Sequence, residues 1–163
     1  NNGQTAIGLS DHGTMYASMN MVNDCKRLGV KPITACEIYE CNNHLKQNPD
    51  DKYNHLLLIA ATTKGLKNLY QIVTEGYRNG LYKKPRVSVE WIKDNNYGEG
   101  IICLTACQAG RLSRCLEYNL QEEAKDFVDL LQNTFDYVSI EIQSHPTDSQ
   151  IKANKCCNIK HNN

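Results

Sequence analysis

The chain has 163 residues, of which 40% are hydrophobic and 22% are charged, and its net charge at neutral pH is zero. This length and composition predict one globular domain. They argue against two domains, and a neutral chain has no overall field that attracts nucleic acid. No apolar run approaches the ~20 residues of a membrane-spanning helix, and no signal-type segment opens the chain, so we expect no membrane association.

The cysteines and the chain ends carry the remaining compositional information. Eight cysteines are scattered along the sequence, and none forms a CxxC pair. This usage predicts reduced thiols in the cytoplasm, most of them packing groups. The chain begins with Asn1 and ends in "KHNN", so we expect it to be a fragment of a longer protein.

Short apolar strands alternate with amphipathic segments along the chain. We predict strands over 5–10, 33–40, 55–62, 100–107 and 136–145, and helices over 15–28, 66–77, 109–118 and 120–135. A polar loop is expected over 42–54 and a basic loop over 78–88, where Ser88 caps a short helix. One more helix is expected from Ser149. This alternation predicts βαβ units and a largely parallel sheet.

Several polar residues lie near the boundaries of these predicted strands. Asp11 and His12 follow the first strand, and Glu37 lies inside the second. Three further residues open or close later strands: His55, Cys107 and His145. In α/β barrels, active-site residues gather where the strands end. A carboxylate inside a strand is costly unless it is paired or bound to a cation.

Imidazole, thiolate and carboxylate groups together suit a transition metal such as Zn²⁺ or Mn²⁺. The long spacings between His12, Glu37, His55 and Cys107 indicate that each comes from a different strand. The alternative is that the histidines are structural, that Glu37 is ion-paired, and that Cys107 is a small core residue. Spacing alone leaves both interpretations open.

Four blocks of the sequence resemble a known family. The stretch "AIGLSDHGTMYASMNMVNDCKRLGVKPITACEIYE" is similar to the start of the PHP (polymerase and histidinol phosphatase) domain of bacterial DNA polymerase III alpha subunits. Three later blocks are similar to that family in the same order: "YNHLLLIAATTKGLKNLYQIVTEGYRNGLYKKPRVS", "GEGIICLTACQAGRLSRCL" and "YVSIEIQSHP". The resemblance extends over about residues 5–160.

The resemblance implies a distorted TIM-like (β/α)₇ barrel with a multinuclear site for divalent ions (Zn, Mn or Mg) at its mouth. Its metal ligands correspond to the histidine of DHG, the glutamate of CExY, the histidine of YHL and the cysteine of SAC, which are His12, Glu37, His55 and Cys107. Asp11 corresponds to a group that orients His12 or a neighbouring ligand. His145 corresponds to no ligand, and we expect it to be structural.

Two motifs of that family have no counterpart in this chain: a His-x-His on a strand before DHG and an Asp-x-His near the end of the domain. The resemblance therefore implies a partial PHP domain over 1–163, with an incomplete barrel and an incomplete ligand set. In the loop "YRNGLYKKPR", cations alternate with tyrosines, which suits phosphate binding by Arg86 and Lys84. A simply solvated loop is the alternative.

The function implied is that of a piece of a replicative DNA-directed DNA polymerase in the cytoplasm. The chain itself lacks the polymerase carboxylates, but its metal site implies a metal-dependent 3′–5′ exonuclease or phosphoesterase in the complete protein. Implied partners are DNA, a separate proofreading exonuclease and a sliding clamp. Two alternatives remain: a free-standing phosphoesterase of the histidinol-phosphatase type, and a metal-free structural or docking module.

Overall fold

The computed structural model describes residues 3–144, 147–148, 150–152 and 154, and seven strands and five helices lie within 3–144. Residues 148, 150–152 and 154 are also helical, in the region of the helix predicted from Ser149, and Ser149 itself lies outside the described residues. The strands are β1 (Ala6–His12), β2 (Lys31–Glu40), β3 (Asn54–Ala60), β4 (Leu81–Tyr82), β5 (Lys84–Val87), β6 (Ile101–Leu104) and β7 (Tyr137–Ser139). The helices are α1 (Ser18–Leu28), α2 (Thr63–Arg78), α3 (Val89–Asp94), α4 (Arg111–Glu117) and α5 (Gln121–Gln132). None of these helices is long and apolar enough to cross a membrane.

Local sequence signals explain the ends of two helices. The Thr62 side chain accepts a hydrogen bond from the Gly65 backbone N–H at 3.0 Å, which caps the first turn of α2. Gly29 ends α1 in the left-handed conformation, at φ +67°, where glycine carries no steric penalty. Both ends agree with the sequence-based predictions to within a few residues.

The strands form one mixed sheet in the order β4-β5-β2-β3-β6-β7, and β1 also pairs with β2. Because β3 occupies one edge of β2, β1 and β5 share the other edge, with β1 alongside 31–37 and β5 alongside 39–40. Within the described residues no pair joins β7 to β1 or β4, so the sheet is not closed. This arrangement agrees with the expected incomplete PHP-type barrel.

The predicted largely parallel sheet was wrong in one respect. The pairs β2–β3, β3–β6 and β4–β5 are antiparallel, whereas β1–β2, β2–β5 and β6–β7 are parallel. The predicted loop over 78–88 was also wrong, because 81–87 form a tight hairpin around Lys83. The last predicted strand is shorter than expected and ends at Ser139. His145 lies outside the described residues.

One face of the sheet is covered by helices and forms the core. Alternate residues of β2, β3 and β6 point to this face and are fully buried, as Cys36, Leu58 and Cys103 show. Leu69 and Ile72 of α2 pack against them, together with residues of α3, α4 and α5. Because successive side chains of a strand alternate between faces, the residues between these core positions point to the opposite face. That opposite face carries the polar cluster described next.

Candidate metal centre

Two adjacent rows of paired residues place the predicted ligands side by side. In the first row, His12 of β1 and Leu57 of β3 both pair with Glu37 of β2. In the second row, two residues along β2, Tyr39 pairs with His55 of β3. Paired residues share a face of the sheet, and so do residues two apart on one strand. His12, Glu37 and His55 therefore converge on the face that the helices leave uncovered.

The Glu37 carboxylate connects the two imidazoles. Its Oε1 lies 2.7 Å from His55 Nδ1, and its Oε2 lies 3.8 Å from His12 Nδ1. The three residues offer ligand atoms that all lie within 4.8 Å of one another. Ligands about 2.2 Å from one zinc ion lie at most about 4.4 Å apart. Small side-chain adjustments would thus let this donor set fit a single divalent ion.

A tyrosine and a glycine shape the floor of the cluster. The Tyr39 ring lies 5.6 Å from the His55 ring and 6.4 Å from the His12 ring, centroid to centroid. Gly13 follows His12 at φ +66°, and its N–H donates to the Glu37 carbonyl at 2.8 Å. A Cβ at this position would lie 2.7 Å from Tyr39 Cε2. Glycine thus lets the chain turn away from β1 while the tyrosine ring stays against both imidazoles.

Cys107 lies at the edge of this cluster, on a tight turn after β6. Its Sγ is 3.7 Å from His55 Nδ1, and it is half-buried. The turn is fixed to β3, because the His55 N–H donates to the Ala109 carbonyl at 3.0 Å. Ala106, just before the cysteine, has φ +59°, a strained conformation of a kind that often occurs at functional sites. The close group of three ligand atoms does not include Cys107, so its role as a ligand stays a prediction.

The protonation state of His55 suits metal binding. Partial burial lowers the pKa of His55 below its usual value, and His12 lowers it further, while Glu37 raises it. A lowered pKa keeps the imidazole neutral, and the neutral imidazole is the form that coordinates a metal.

Burial has a different consequence for two cysteines of the sheet and its neighbouring loop. It raises the pKa of the Cys36 and Cys41 thiols to about 12, so these cysteines remain protonated packing groups.

Asp11 and Lys84, two other predicted site residues, lie beside the cluster. Asp11 precedes His12 on β1 and so points to the opposite face, where its Oδ2 accepts the Ala17 N–H at 3.4 Å, near the start of α1. Lys84 places its Nζ 5.2 Å from the Tyr39 ring centroid. The proposed effect of Asp11 on His12, and phosphate binding by Lys84, stay predictions.

Arg86 lies in the same row as Tyr39 and His55, but it is only 1% exposed. Its guanidinium donates to the carbonyls of Lys46 and Asp51 at 2.9 and 3.1 Å, so the loop before β3 covers it. Direct phosphate binding by Arg86 stays a prediction. They do show that this side chain organises a neighbouring loop.

A second imidazole–carboxylate pair was not predicted from the sequence. His44 lies in the loop predicted over 42–54, and its Nε2 is 3.0 Å from Glu75 Oε1 of α2. Its Nδ1 accepts the Ser88 N–H at 3.2 Å and lies 3.0 Å from the Ser88 hydroxyl. The hydroxyl predicted to cap α3 therefore contacts an imidazole. No local pattern identifies this contact, because Glu75 and Ser88 lie 31 and 44 residues after His44 in the sequence.

Comparison with known proteins gives consistent results. The family described as "PHP domain" matches residues 1–145. The chain is 37% identical to the DNA polymerase III subunit alpha of Aquifex aeolicus over 94% of its length, and 32% identical to that of Treponema pallidum over 92%. The corresponding Borreliella burgdorferi protein is 31% identical over 88% of the chain. The chain spans 13–14% of the length of these relatives.

Proposed function

The chain belongs to the PHP-domain family, and we propose that it is the PHP portion of the alpha subunit of a bacterial-type replicative DNA polymerase. In this proposal all of 1–163 belongs to one partial PHP domain. His12, Glu37 and His55 hold a divalent ion, zinc or manganese before magnesium, because imidazole nitrogens favour these metals. Cys107 is the fourth ligand.

The observation that carries the proposal is the convergence of three ligand atoms from three strands within 4.8 Å. Glu37 is 17% exposed and His55 is 20% exposed, whereas His12 is 55% exposed, so the cluster opens to solvent on one side. A substrate can reach such a site. Among the described residues, the core positions of β2, β3 and β6 on the opposite face are fully buried and offer no comparable opening.

The residues of the cluster have separate tasks in the proposed reaction, the hydrolysis of a phosphodiester. A bound divalent ion supplies a water of lowered pKa and neutralises phosphate oxygens. Glu37 orients the His55 ring through the 2.7 Å contact with Nδ1. Tyr39 packs against both imidazoles and limits their rotation. Lys84, held over the Tyr39 ring, adds a positive charge for a phosphate.

The wider assignment rests on the relatives. They are named DNA polymerase III subunit alpha, and the chain matches a small part of them. We therefore propose that polymerisation is carried out elsewhere in a longer protein, and that the PHP site adds a 3′–5′ exonuclease activity. DNA, a proofreading exonuclease and a sliding clamp are the proposed partners, and the cytoplasm is the proposed location.

Metal titration tests the proposed centre. We expect the metal-free chain to bind Zn²⁺ and Mn²⁺ in isothermal titration calorimetry, and Glu37→Gln to weaken both by about 100-fold or more, since even outer partners of ligands contribute about 10–100-fold. The matched control is Glu99→Gln, which removes an exposed carboxylate 3.9 Å from Lys64, outside the cluster. Equal affinities of wild type and Glu37→Gln would exclude a metal centre at this position.

Cys107→Ser tests the fourth ligand separately. Thiolate ligands favour zinc over manganese, so we expect this variant to lose more affinity for Zn²⁺ than for Mn²⁺. An equal loss of both metals, or no loss, would remove Cys107 from the ligand set.

A chain extended to the relatives' length distinguishes a polymerase subunit from a free-standing phosphatase. Release of nucleotides from a DNA 3′ end supports the polymerase assignment, and hydrolysis of small phosphomonoesters alone supports a free-standing phosphatase.

A further inference from the structure

A polar cavity lies next to the metal cluster. It is bordered by the loop before β3, the β4–β5 hairpin and α4. Its volume is about 260 Å³. Four cations and two aromatic rings line it: Lys52, Lys83, Arg86, Arg114, Tyr53 and Tyr82. Lys52 and Lys83 are exposed, whereas Arg86 is buried. The cavity therefore has a buried positive floor and exposed positive side chains at its mouth.

The lining of this cavity keeps a net positive charge, because four cations stand against one carboxylate, that of Asp51. Across the described residues, no carboxylate oxygen lies within 4.0 Å of a charged nitrogen of these four cations. Asp51 borders the cavity, but its carboxylate accepts hydrogen bonds from the backbone N–H groups of Asn42 and Asn43 at 3.1 and 2.9 Å. Four cations around one cavity repel each other, and a bound anion relieves that repulsion.

Neutral acceptors hold the two arginines in place. Arg114 donates from Nη1 to the Tyr53 carbonyl at 3.2 Å and to Asn54 Oδ1 at 2.9 Å. Arg86 donates to two loop carbonyls, and its Nε is buried without a hydrogen-bond partner among the described residues. Carbonyl groups orient the guanidinium without cancelling its charge. This is the arrangement expected where the charge serves an external partner.

The hairpin directs a third cation and an aromatic ring to the same place. Lys83 has φ +61°, which is uncommon for a residue with a side chain. Its Nζ lies 5.5 Å from the Tyr82 ring centroid, and the Arg86 Cζ lies 5.0 Å from the same centroid. Proteins that bind single-stranded nucleic acid combine cations, which contact the phosphates, with aromatic rings, on which the bases stack.

The cavity and the metal cluster are adjacent because the strands that contribute their residues are neighbours in the sheet. Arg86, Tyr39 and His55 form one row across three strands. The Tyr53 ring, which lines the cavity, packs edge-on against the Tyr39 ring at 5.1 Å, and Tyr39 in turn packs against His55. The two tyrosine rings, packed edge to face, thus lie between the two sites.

We propose that this cavity binds a backbone phosphate of a nucleic-acid strand and so positions the strand beside the metal cluster. The buried Arg86 and the anchored Arg114 supply the positive field. Lys52 and Lys83 contact the phosphate directly, and Tyr82 is available for stacking by a base. The role of the bound strand rests on the function proposed above, whereas the binding of the phosphate does not need a metal.

Binding is measured on the 163-residue chain in buffer with EDTA, using two probes. Inorganic phosphate is titrated by calorimetry, and a fluorescein-labelled single-stranded DNA hexamer is followed by anisotropy. We expect both to bind, and the double variant Lys52→Gln/Lys83→Gln to weaken both by about tenfold or more, the cost of losing one or two charge-assisted contacts. Both lysines are exposed, so the fold should persist, which circular dichroism checks.

Two control variants distinguish this site from its alternatives. Lys67→Gln removes an exposed charge of α2 that does not line the cavity, and it should change both affinities by less than about twofold. Glu37→Gln should leave both affinities intact in EDTA. If that variant loses phosphate binding, the phosphate lies at the metal cluster and the proposal fails. If Glu37→Gln instead binds zinc as tightly as wild type in the separate titration without EDTA, the proposed metal centre is wrong, while the result for the cavity stands.

Three further outcomes would overturn the proposal. The first is a double variant that binds the hexamer as tightly as wild type. The second is an equal loss with Lys67→Gln, which would indicate non-specific charge attraction. The third is a chain that binds inorganic phosphate but not the hexamer, which would identify the source of the phosphate as a free ion or small metabolite.

Discussion

Two imidazole–carboxylate pairs in this chain have the same chemistry and different environments. His55 and Glu37 lie 2.7 Å apart on the open face of the sheet, and the two side chains are 20% and 17% exposed. His44 and Glu75 lie 3.0 Å apart beneath a loop, and the two side chains are 2% and 11% exposed. The pair distance alone does not separate a metal ligand from a structural contact.

The surroundings of each pair make the distinction. In the buried pair, the second imidazole nitrogen accepts the Ser88 N–H, and the second carboxylate oxygen accepts from Asn79 Nδ2 at 2.9 Å. In the open pair, the second carboxylate oxygen faces another imidazole, that of His12, at 3.8 Å. The buried pair is satisfied within the protein, whereas the open pair brings donor atoms together at the protein surface. We therefore propose a metal-binding role for the open pair and a structural role for the buried pair.

Replacing the buried histidine should have the largest effect on folding. His44→Ala leaves the Ser88 N–H and the Glu75 carboxylate buried without their partner, and it removes a ring that packs 5.8 Å from the Trp91 ring. We expect the free energy of unfolding to fall by about 3–5 kcal/mol. Urea unfolding monitored by circular dichroism measures this change.

The matched control for that variant is His12→Ala in metal-free buffer. This histidine is 55% exposed, so the expected change in the free energy of unfolding is within about 0.5 kcal/mol. If the two variants destabilise the chain equally, the contrast between a structural and a ligand pair is wrong.

Added zinc should make the stability gain depend on the open pair, whereas without zinc the stability depends mainly on the buried pair. Zinc at about 100 times its dissociation constant should raise the free energy of unfolding by about 2.7 kcal/mol, because it binds the native state. We expect Glu37→Gln to reduce this gain to about 0.4 kcal/mol or less, since it weakens zinc binding by about 100-fold or more, while Glu75→Gln keeps the full gain despite a lower starting stability. Thermal unfolding with and without zinc measures both variants. A zinc gain that depends on Glu75 but not on Glu37 would assign the metal to the buried pair.

Local pattern predicted most of the helices and strands, but not the direction of the strands. The run 55–62 is apolar throughout, and such a run has the same composition in either direction. One signal was available, since the sequence shows a polar loop and no helix between the second and third predicted strands. Parallel neighbours need a long crossover, usually a helix, so a loop of this kind favours an antiparallel pair. The structure has that antiparallel pair between β2 and β3.

The candidate site was easier to predict than its surroundings. His12, Glu37 and His55 are polar residues at strand positions, and a strand position fixes the face to which a side chain points. The cavity cations Lys52 and Arg114 belong to a loop and a helix 62 residues apart. Their approach depends on how that loop folds over the sheet, which no local pattern records. The hairpin around Lys83 was missed because its turn lacks the glycine or asparagine that marks tight hairpins.

The rates at which two cysteines are chemically modified compare the two faces of the sheet directly, with no change in the stability of the fold. Cys107 lies on the open side and is half-buried, whereas Cys103 lies in the core, where burial raises the pKa of its thiol. We expect iodoacetamide to modify Cys107 at least about 100-fold faster, because the thiolate is the nucleophile. Peptide mass spectrometry measures both cysteines. Saturating zinc should slow the modification of Cys107 by about tenfold, and an unchanged rate would argue against a thiolate ligand.

Asp11 should give the smallest effect, because it acts on the cluster only through the backbone of β1. Its carboxylate accepts the Ala17 N–H near the start of α1, where a negative charge is favourable. Asp11→Asn keeps an oxygen acceptor but removes the charge, so we expect a loss of about 0.3–1 kcal/mol in the free energy of unfolding. If Asp11 also orients His12, zinc affinity falls by up to about tenfold; the matched variant Asp24→Asn, on the exposed face of α1, should leave it unchanged. A loss of stability without a loss of zinc affinity would limit Asp11 to a helix-capping role, and the position of His12 would then depend on its contacts with Glu37 and Tyr39.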